Sequence, residues 1–158
     1  MSKPVAEGEK NLATNARAFH LYHIVDRFEA GLVLLGSEVK AIREAASNLR
    51  DAYATVRDGE AFLMNCHVGV YSHTGYTAHD PLRPRKLLLT RRELHKLESK
   101  LTLKGLTLVP LRLYTKKGKI KVELGLAEGK KLHDKREDSK RKDADREMAK
   151  AIKHRNRD

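Results

Sequence analysis

The stretch "LTLVPLRLYTKKGKIKVELGLA" narrows the possible folds more than any other part of the chain. Ile120, Val122, Leu124 and Leu126 alternate with Lys119, Lys121 and Glu123, and a period of two is what a strand with one buried face requires. Turn residues around Thr115–Gly118 predict that the stretch doubles back as a long hairpin. Pro110 has no N–H to give to a ladder, so it is expected at an edge or a bulge. Asp58-Gly59, set between two alternating runs, signals a second hairpin. Its second arm is read with Phe62, Met64, Cys66, Val68 and Val70 on one face. Cys66 is the single cysteine; it reads as a small apolar core residue, and no disulfide can form within the chain. A further strand is read from Phe19, with Phe19, Leu21 and Val25 on one side and His20, Tyr22 and Ile24 on the other.

Two helices interrupt the strands. Ser37 is read as an N-cap with Glu38 in the first turn, and Val39, Ile42 and Ala46 form a stripe, giving a helix over Ser37–Ala46. Thr90-x-x-Glu93 is a capping box. It opens a helix whose Leu94, Leu97 and Leu101 face inward and which Gly105 stops. Between them "SHTGYTAHDPLRPRK" is read as a loop. At least five strands with two inserted helices in 158 residues predict a mainly β fold, a small antiparallel OB-like barrel, because closure removes exposed sheet edges. Residues 1–12 are read as a flexible N-terminus, 13–128 as the barrel, and 129–158 as a basic tail.

Charge points to partners. The chain carries a formal net charge of +12, which puts nucleic acid first, while an acidic protein or lipid headgroups stay open on charge alone. No apolar run approaches the roughly 18 residues a membrane span needs, so no membrane span is expected; the lone Cys66 fits a reducing, cytoplasmic location, and no membrane partner is expected. Gly129–Asp158 holds twelve Lys and Arg against seven Asp and Glu. Its composition favours helix, yet Ala144, Met148, Ala151 and Ile152 make only a thin apolar stripe. The tail is therefore expected to be disordered when free and helical against a polyanion.

Candidate chemistry is sparse. His20 and His23 would leave opposite faces of a strand, His79-Asp80 reads as a turn, and neither a zinc-ligand pair nor a phosphate-binding glycine loop occurs. No enzymatic activity, metal or cofactor is expected. Basic clusters are the stronger candidates: Lys40 and Arg43 on the first helix, then Arg83, Arg85 and Lys86 in the loop. Tyr22, Tyr53, Tyr71, Tyr76 and Tyr114 offer rings for unpaired bases, or half-buried strand positions. The residues alone stop at a basic RNA-binding barrel.

Five runs carry a resemblance: "FEAGLVLLGSEVKAIR", "NLRDAY", "HDPLRPRKLLL", "LTLVPLRLY" and "KVELGLAEGKKLHDKR". Together they resemble the small protein B (SmpB) family, the bacterial partner of transfer-messenger RNA. The resemblance implies an OB-type barrel and a non-catalytic protein. Such a protein binds the tRNA-like domain of that RNA and accompanies it, with elongation factor Tu, to stalled ribosomes, where a degradation tag is encoded. It implies RNA contacts at Glu29 and Leu88 and near Thr90, beside the cations already singled out by charge, Lys40, Arg43, Arg83, Arg85 and Lys86. It places His20 near the small-subunit decoding centre. Gly129, Lys130, Lys131, Asp134, Lys135 and Arg136 are implied to act on the ribosome, with the tail, including Met148 and Ile152, helical in the vacant messenger channel. Ala16, Phe19, Thr90, Glu128 and Ala144 depart from the family's usual residues.

Overall fold

In the computed structural model, which describes residues 8–70, 79–130 and 132–155, the alternating stretch forms the long hairpin expected of it. The elements run β1 (Glu9–Thr14), α1 (Ala16–Leu21), β2 (Tyr22–Leu32), α2 (Gly36–Arg43), β3 (Ser47–Asn48), β4 (Tyr53–Arg57), β5 (Glu60–Met64), β6 (His67–Val68), β7 (Arg85–Leu88), α3 (Arg91–Lys104), β8 (Thr107–Lys116), β9 (Lys119–Gly129) and α4 (Leu132–Arg155). Seven strands form one antiparallel sheet in the order β1-β8-β4-β5-β7-β2-β9, and β9 pairs back onto β8, so the sheet nearly closes into a ring. The β2–β9 and β8–β9 pairings are long. Elsewhere the ring is held by narrow seams: Ala54 opposite Leu108 between β4 and β8, and Gly31 and Leu32 opposite Leu88 and Leu87 between β2 and β7. A separate two-stranded sheet pairs β3 with β6.

Both hairpin turns have two left-handed residues, Asp58 and Gly59 at φ 54° and 75°, Lys117 and Gly118 at φ 52° and 75°. Two positive φ values in succession match the twist of the flanking strands. Leu63, Leu108, Leu113, Val122, Leu124 and Leu126 are buried within the ring, joined by Ala41 and Ile42 of α2 and Leu97 of α3. Pro110 lies at a bulge, where the β8–β9 register shifts before Arg112. Its carbonyl accepts from Asn15 Nδ2 at 2.9 Å. Cys66 is buried in the core, and burial pushes its thiol up to about 11, which keeps it protonated and unreactive at neutral pH.

Several expectations are corrected. Residues 16–21 form α1, so Phe19, His20 and Leu21 are helical and the strand begins at Tyr22. Asn15 starts that helix, its Oδ1 accepting from Ala18 N at 3.3 Å, and six residues are too short for a helical period to show in sequence. A second apolar cluster explains why alternation was misleading there: Ala18, Val109, Leu111 and Ala127 pack with Phe19, Tyr22 and Ile24. β9 is consequently buried on both faces from Val122 to Ala127. On β5 the buried residues are Ala61 and Leu63, while Phe62 and Met64 are half-exposed. Asn65, left-handed at φ 53°, shifts the phase by one and returns Cys66 and Val68 to the core; Val70 is exposed.

α2 starts at Gly36 with Leu35 as its N-cap, not Ser37, and ends at Arg43 rather than Ala46. Arg85 and Lys86 belong to strand β7, not to the loop. Glu9, Lys10 and Asn11, expected to be loose, pair with β8 as part of β1, and Leu12 follows at a bulge. α3 matches its expectation, with the Thr90–Glu93 capping box and Gly105 left-handed at φ 60°. Tyr71 and Tyr76 lie outside the described residues.

α4 has almost no tertiary cover. Met148 and Ile152 are 69 % and 62 % exposed, so its thin apolar stripe touches no core. A helix without packing is marginal in water. Amides from Ser139 to Arg155 are therefore expected to exchange with solvent many orders of magnitude faster than those of β8 and β9, measured by hydrogen exchange. Equal protection across both would refute this.

Candidate RNA interface

Most of the residues expected to meet RNA gather on one strip, while the acid-base pairs around them show which belong to the scaffold. Glu29 stands on β2 and Lys121 opposite Gly31 on β9. Gly31 lets these strands approach closely: a Cβ there would lie 3.3 Å from Leu88 Cβ, a tight contact that would press on Leu88. Leu88, 53 % exposed at the end of β7, lies on a ridge between two grooves. One, of about 330 Å³, is lined by Val39, Arg43, Lys119 and Lys121 among others. The other, of about 770 Å³, is lined by Lys86, Arg91, His95 and Glu60 among others. Thr90 is exposed as the cap of α3. Arg43 donates to Gly118 O at 3.0 Å and remains exposed beside the β8–β9 turn. Lys40 is exposed on the same helix. Lys86 pairs with Glu60 at 3.2 Å, both half-exposed, an ion pair that a phosphate can displace at little cost.

Glu29 is held on its inner side. The Tyr114 hydroxyl donates to Glu29 Oε2, and Lys116 Nζ lies 3.3 and 3.2 Å from Oε1 and Oε2. The Tyr114 hydrogen bond, followed by Lys116, keeps the Glu29 carboxyl below the usual carboxylate range despite some burial. Tyr114 is itself pushed up, by burial and then by Glu29. Behind it lies a buried ion cluster: Arg112 reaches Glu123 at 3.0 Å and Glu9 at 3.3 Å, and Arg27 reaches Glu123 at 2.7 Å. Burial raises the Glu123 carboxyl, yet the hydrogen bonds from Arg27 and Arg112 outweigh it and the net shift is downward.

Arg83 and Arg85, expected on a phosphate track, are turned to a different task. Arg85 is fully buried; its Nε donates to Glu38 and its Nη1 to Cys66 O at 2.6 Å. Arg83, about one third exposed, donates to the other Glu38 oxygen at 2.5 Å. Glu38 is wholly buried and also accepts from Leu35 N at 2.8 Å. His79 completes the arrangement: Nε2 donates to Val68 O at 3.0 Å, since a carbonyl only accepts, and Nδ1 hydrogen-bonds Ser37 Oγ at 2.9 Å, as acceptor when the ring is neutral. The G-S-E-V-K and H-D-P-L-R-P-R-K runs are thus tied together in the interior. Arg85 has no surface for RNA.

The residues implied for the ribosome occupy the opposite end of β2. Gly129 pairs with Tyr22, nine strand steps from Gly31, or roughly 30 Å. His20 is half-buried in the last turn of α1. Lys130 is not free at this end: its N–H donates to Leu21 O at 2.9 Å, its Nζ to Phe19 O at 3.0 Å and to Asp138. Lys130 thereby ties α4 to α1, and it holds the Asp138 carboxyl below its usual range. Lys135 and Arg136 lie in the first turns of α4, with Arg136 exposed. Asp134 lies in the same helix, and Lys131 is outside the described residues. Sequence reasoning missed Lys116, Lys119, Lys121 and Arg91 as candidates on or beside this strip. Alternation set Lys119 and Lys121 on the face away from Ile120 and Val122 but gave no sign that β9 runs beside β2.

Among the described residues no three His, Cys, Asp or Glu converge as metal ligands, and no helix is long and apolar enough to cross a membrane. The SmpB protein family model matches residues 12–154. An SsrA-binding protein of Geobacter metallireducens is 55 % identical over 150 residues, covering 95 % of this chain and 98 % of the relative. One from Syntrophobacter fumaroxidans is 51 % identical over 155 residues, covering 98 % and 96 %. A solved structure described as "tmRNA-SmpB: a journey to the center of the bacterial ribosome" superposes with a TM-score of 0.65 at 44 % identity, covering 78 % of this chain and 87 % of that one. A match spanning both the ring and the tail leaves one assignment: the chain belongs to the SmpB family, whose members bind and do not catalyse.

Proposed function

We propose that this chain is a transfer-messenger RNA (SsrA) partner in trans-translation, with its two tasks divided between the two ends of the β2–β9 pair. The observation that carries the reading is that separation, roughly 30 Å. At one end the strip of Glu29, Lys121, Leu88, Lys86 and Thr90, with Lys40 and Arg43 beside it, receives the tRNA-like domain. Its cations neutralise phosphates, and Glu29 accepts from base N–H groups. At the other end His20, Gly129–Lys131 and the tail meet the ribosome: His20 at the decoding centre, α4 in the vacant messenger channel. Met148 and Ile152 find there the apolar contact they lack on the free protein. In this reading the ring is an OB-type barrel acting in the cytoplasm, elongation factor Tu joins the delivered complex, and the tail orders fully only on the ribosome.

The test is a competition titration of the full chain, and of a form ending at Lys130, against the tRNA-like domain and an ordinary tRNA at two salt concentrations. Both forms are expected to prefer the tRNA-like domain equally, with affinity falling steeply as salt rises, and only the full chain to support tagging on stalled ribosomes. Loss of binding on truncation, or no preference between the RNAs, would refute the division.

A further inference from the structure

Glu29 is an exposed side chain with free torsions, and its position on a strand does not determine where its carboxylate points. Lys116 reaches the carboxylate from the solvent side, and what holds it from the buried side is Tyr114. That residue is almost wholly buried on β8, its hydroxyl donates to Glu29 Oε2, and its ring lies against the Arg112 guanidinium at 4.0 Å. Arg112 is fixed in turn by Glu123 and Glu9, and Glu123 by Arg27. A phenol clamped on its face by a bridged guanidinium cannot swing. The carboxylate it holds is therefore presented in one orientation, with Lys116 alongside to offset its repulsion of phosphates.

We infer that Tyr114 is the positioning residue that fixes the Glu29 carboxylate for RNA recognition. The inference rests on the reading of Glu29 as an RNA contact. Tyr114 touches Glu29 from inside the sheet and, being buried, acts on RNA only through it. The Tyr114 ring packs whether or not its hydroxyl is present, so the fold and the positioning role separate by one atom.

Tyr114→Phe, Glu29→Gln and the double variant, each in the full chain, would be titrated against the tRNA-like domain of transfer-messenger RNA. Tyr114→Phe is expected to weaken binding about tenfold, the scale of one hydrogen bond to a charged group. The double variant is expected to bind no more weakly than Glu29→Gln alone. The salt dependence should be unchanged, because no phosphate contact is lost. The Glu29 carboxyl, followed by NMR, is expected to titrate at higher pH in Tyr114→Phe.

If Glu29→Gln weakens binding but Tyr114→Phe does not, or the Glu29 titration stays where it was, positioning by Tyr114 is refuted. An equal further loss in the double variant would mean a general structural defect and would also refute it. If Glu29→Gln binds like the parent, the reading of Glu29 as an RNA contact fails instead.

Discussion

Replacing Glu38 by Ala is expected to cost about 3–5 kcal/mol of stability, a fall in melting temperature on the order of 10 °C for a domain this size. The carboxylate is wholly buried and shared by Arg83 and Arg85, and Arg85 is as buried as its partner. Removing the acid leaves a guanidinium in the interior whose remaining acceptors are the carbonyls of Cys66, Asp80 and Pro81. Glu38→Gln keeps the volume and an acceptor for Leu35 N, so a smaller loss is expected. Replacing Glu38 and Arg85 together by Met should recover much of the deficit, since an apolar pair of similar volume leaves no fully buried charge orphaned and Arg83, a third exposed, can be solvated. A thermal melt of Glu38→Ala within 2 °C of the parent, where roughly 10 °C is expected, would refute the account.

The same pair sets a pH dependence. Burial acts to raise the Glu38 carboxyl, but the hydrogen bonds from Arg83, Leu35 N and Arg85 overcome it, so its folded pKa lies below the ordinary 4.5. A folded value below the unfolded one gives stabilisation that is complete above the unfolded value and is lost as pH falls through the folded value. The parent is therefore expected to lose stability on acidification below about pH 4.5. Glu38→Gln is expected to show a shallower slope over that window, with Glu123, Glu29, Asp26 and Asp138 supplying what remains.

Arg112→Ala is the second large effect, expected at about 2–4 kcal/mol. It removes the common partner of Glu9 and Glu123 and uncovers the Tyr114 ring. The loss is smaller than at Glu38 because Glu123 keeps Arg27. Arg112→Lys is not a conservative change here: an ammonium can neither bridge two carboxylates with a rigid fork nor stack flat on the phenol. It is expected to recover less than half of the loss. Urea denaturation distinguishes the outcomes, and full recovery by Lys would mean that charge alone matters at this position.

What the sequence made legible depended on how each residue's signal is built. The β8–β9 hairpin was readable because alternation over many residues and a glycine turn agree, and α3 because its capping box and glycine stop bracket a leucine stripe. α1 was not readable, since six residues cannot display a helical period and Phe19 also fits alternation. The phase of β5 was lost at Asn65, where a single left-handed residue reverses which face is buried. For the site, Glu29 and Leu88 were reached through a family resemblance. Arg85 shows the complementary failure. A cation in a run of cations looks like a phosphate ligand until the fold brings Glu38, forty-seven residues away, against it. Composition records charge; it does not record which charges neutralise one another.

The order of manufacture gives the ring one more property. β9 is the last strand made, yet it pairs with both β2 and β8 along most of their lengths. A chain synthesised N-terminus first must hold β2 without its main partner until residue 129 has emerged. Ring closure must therefore wait for β9, and until then the nascent chain carries an open strand edge along β2.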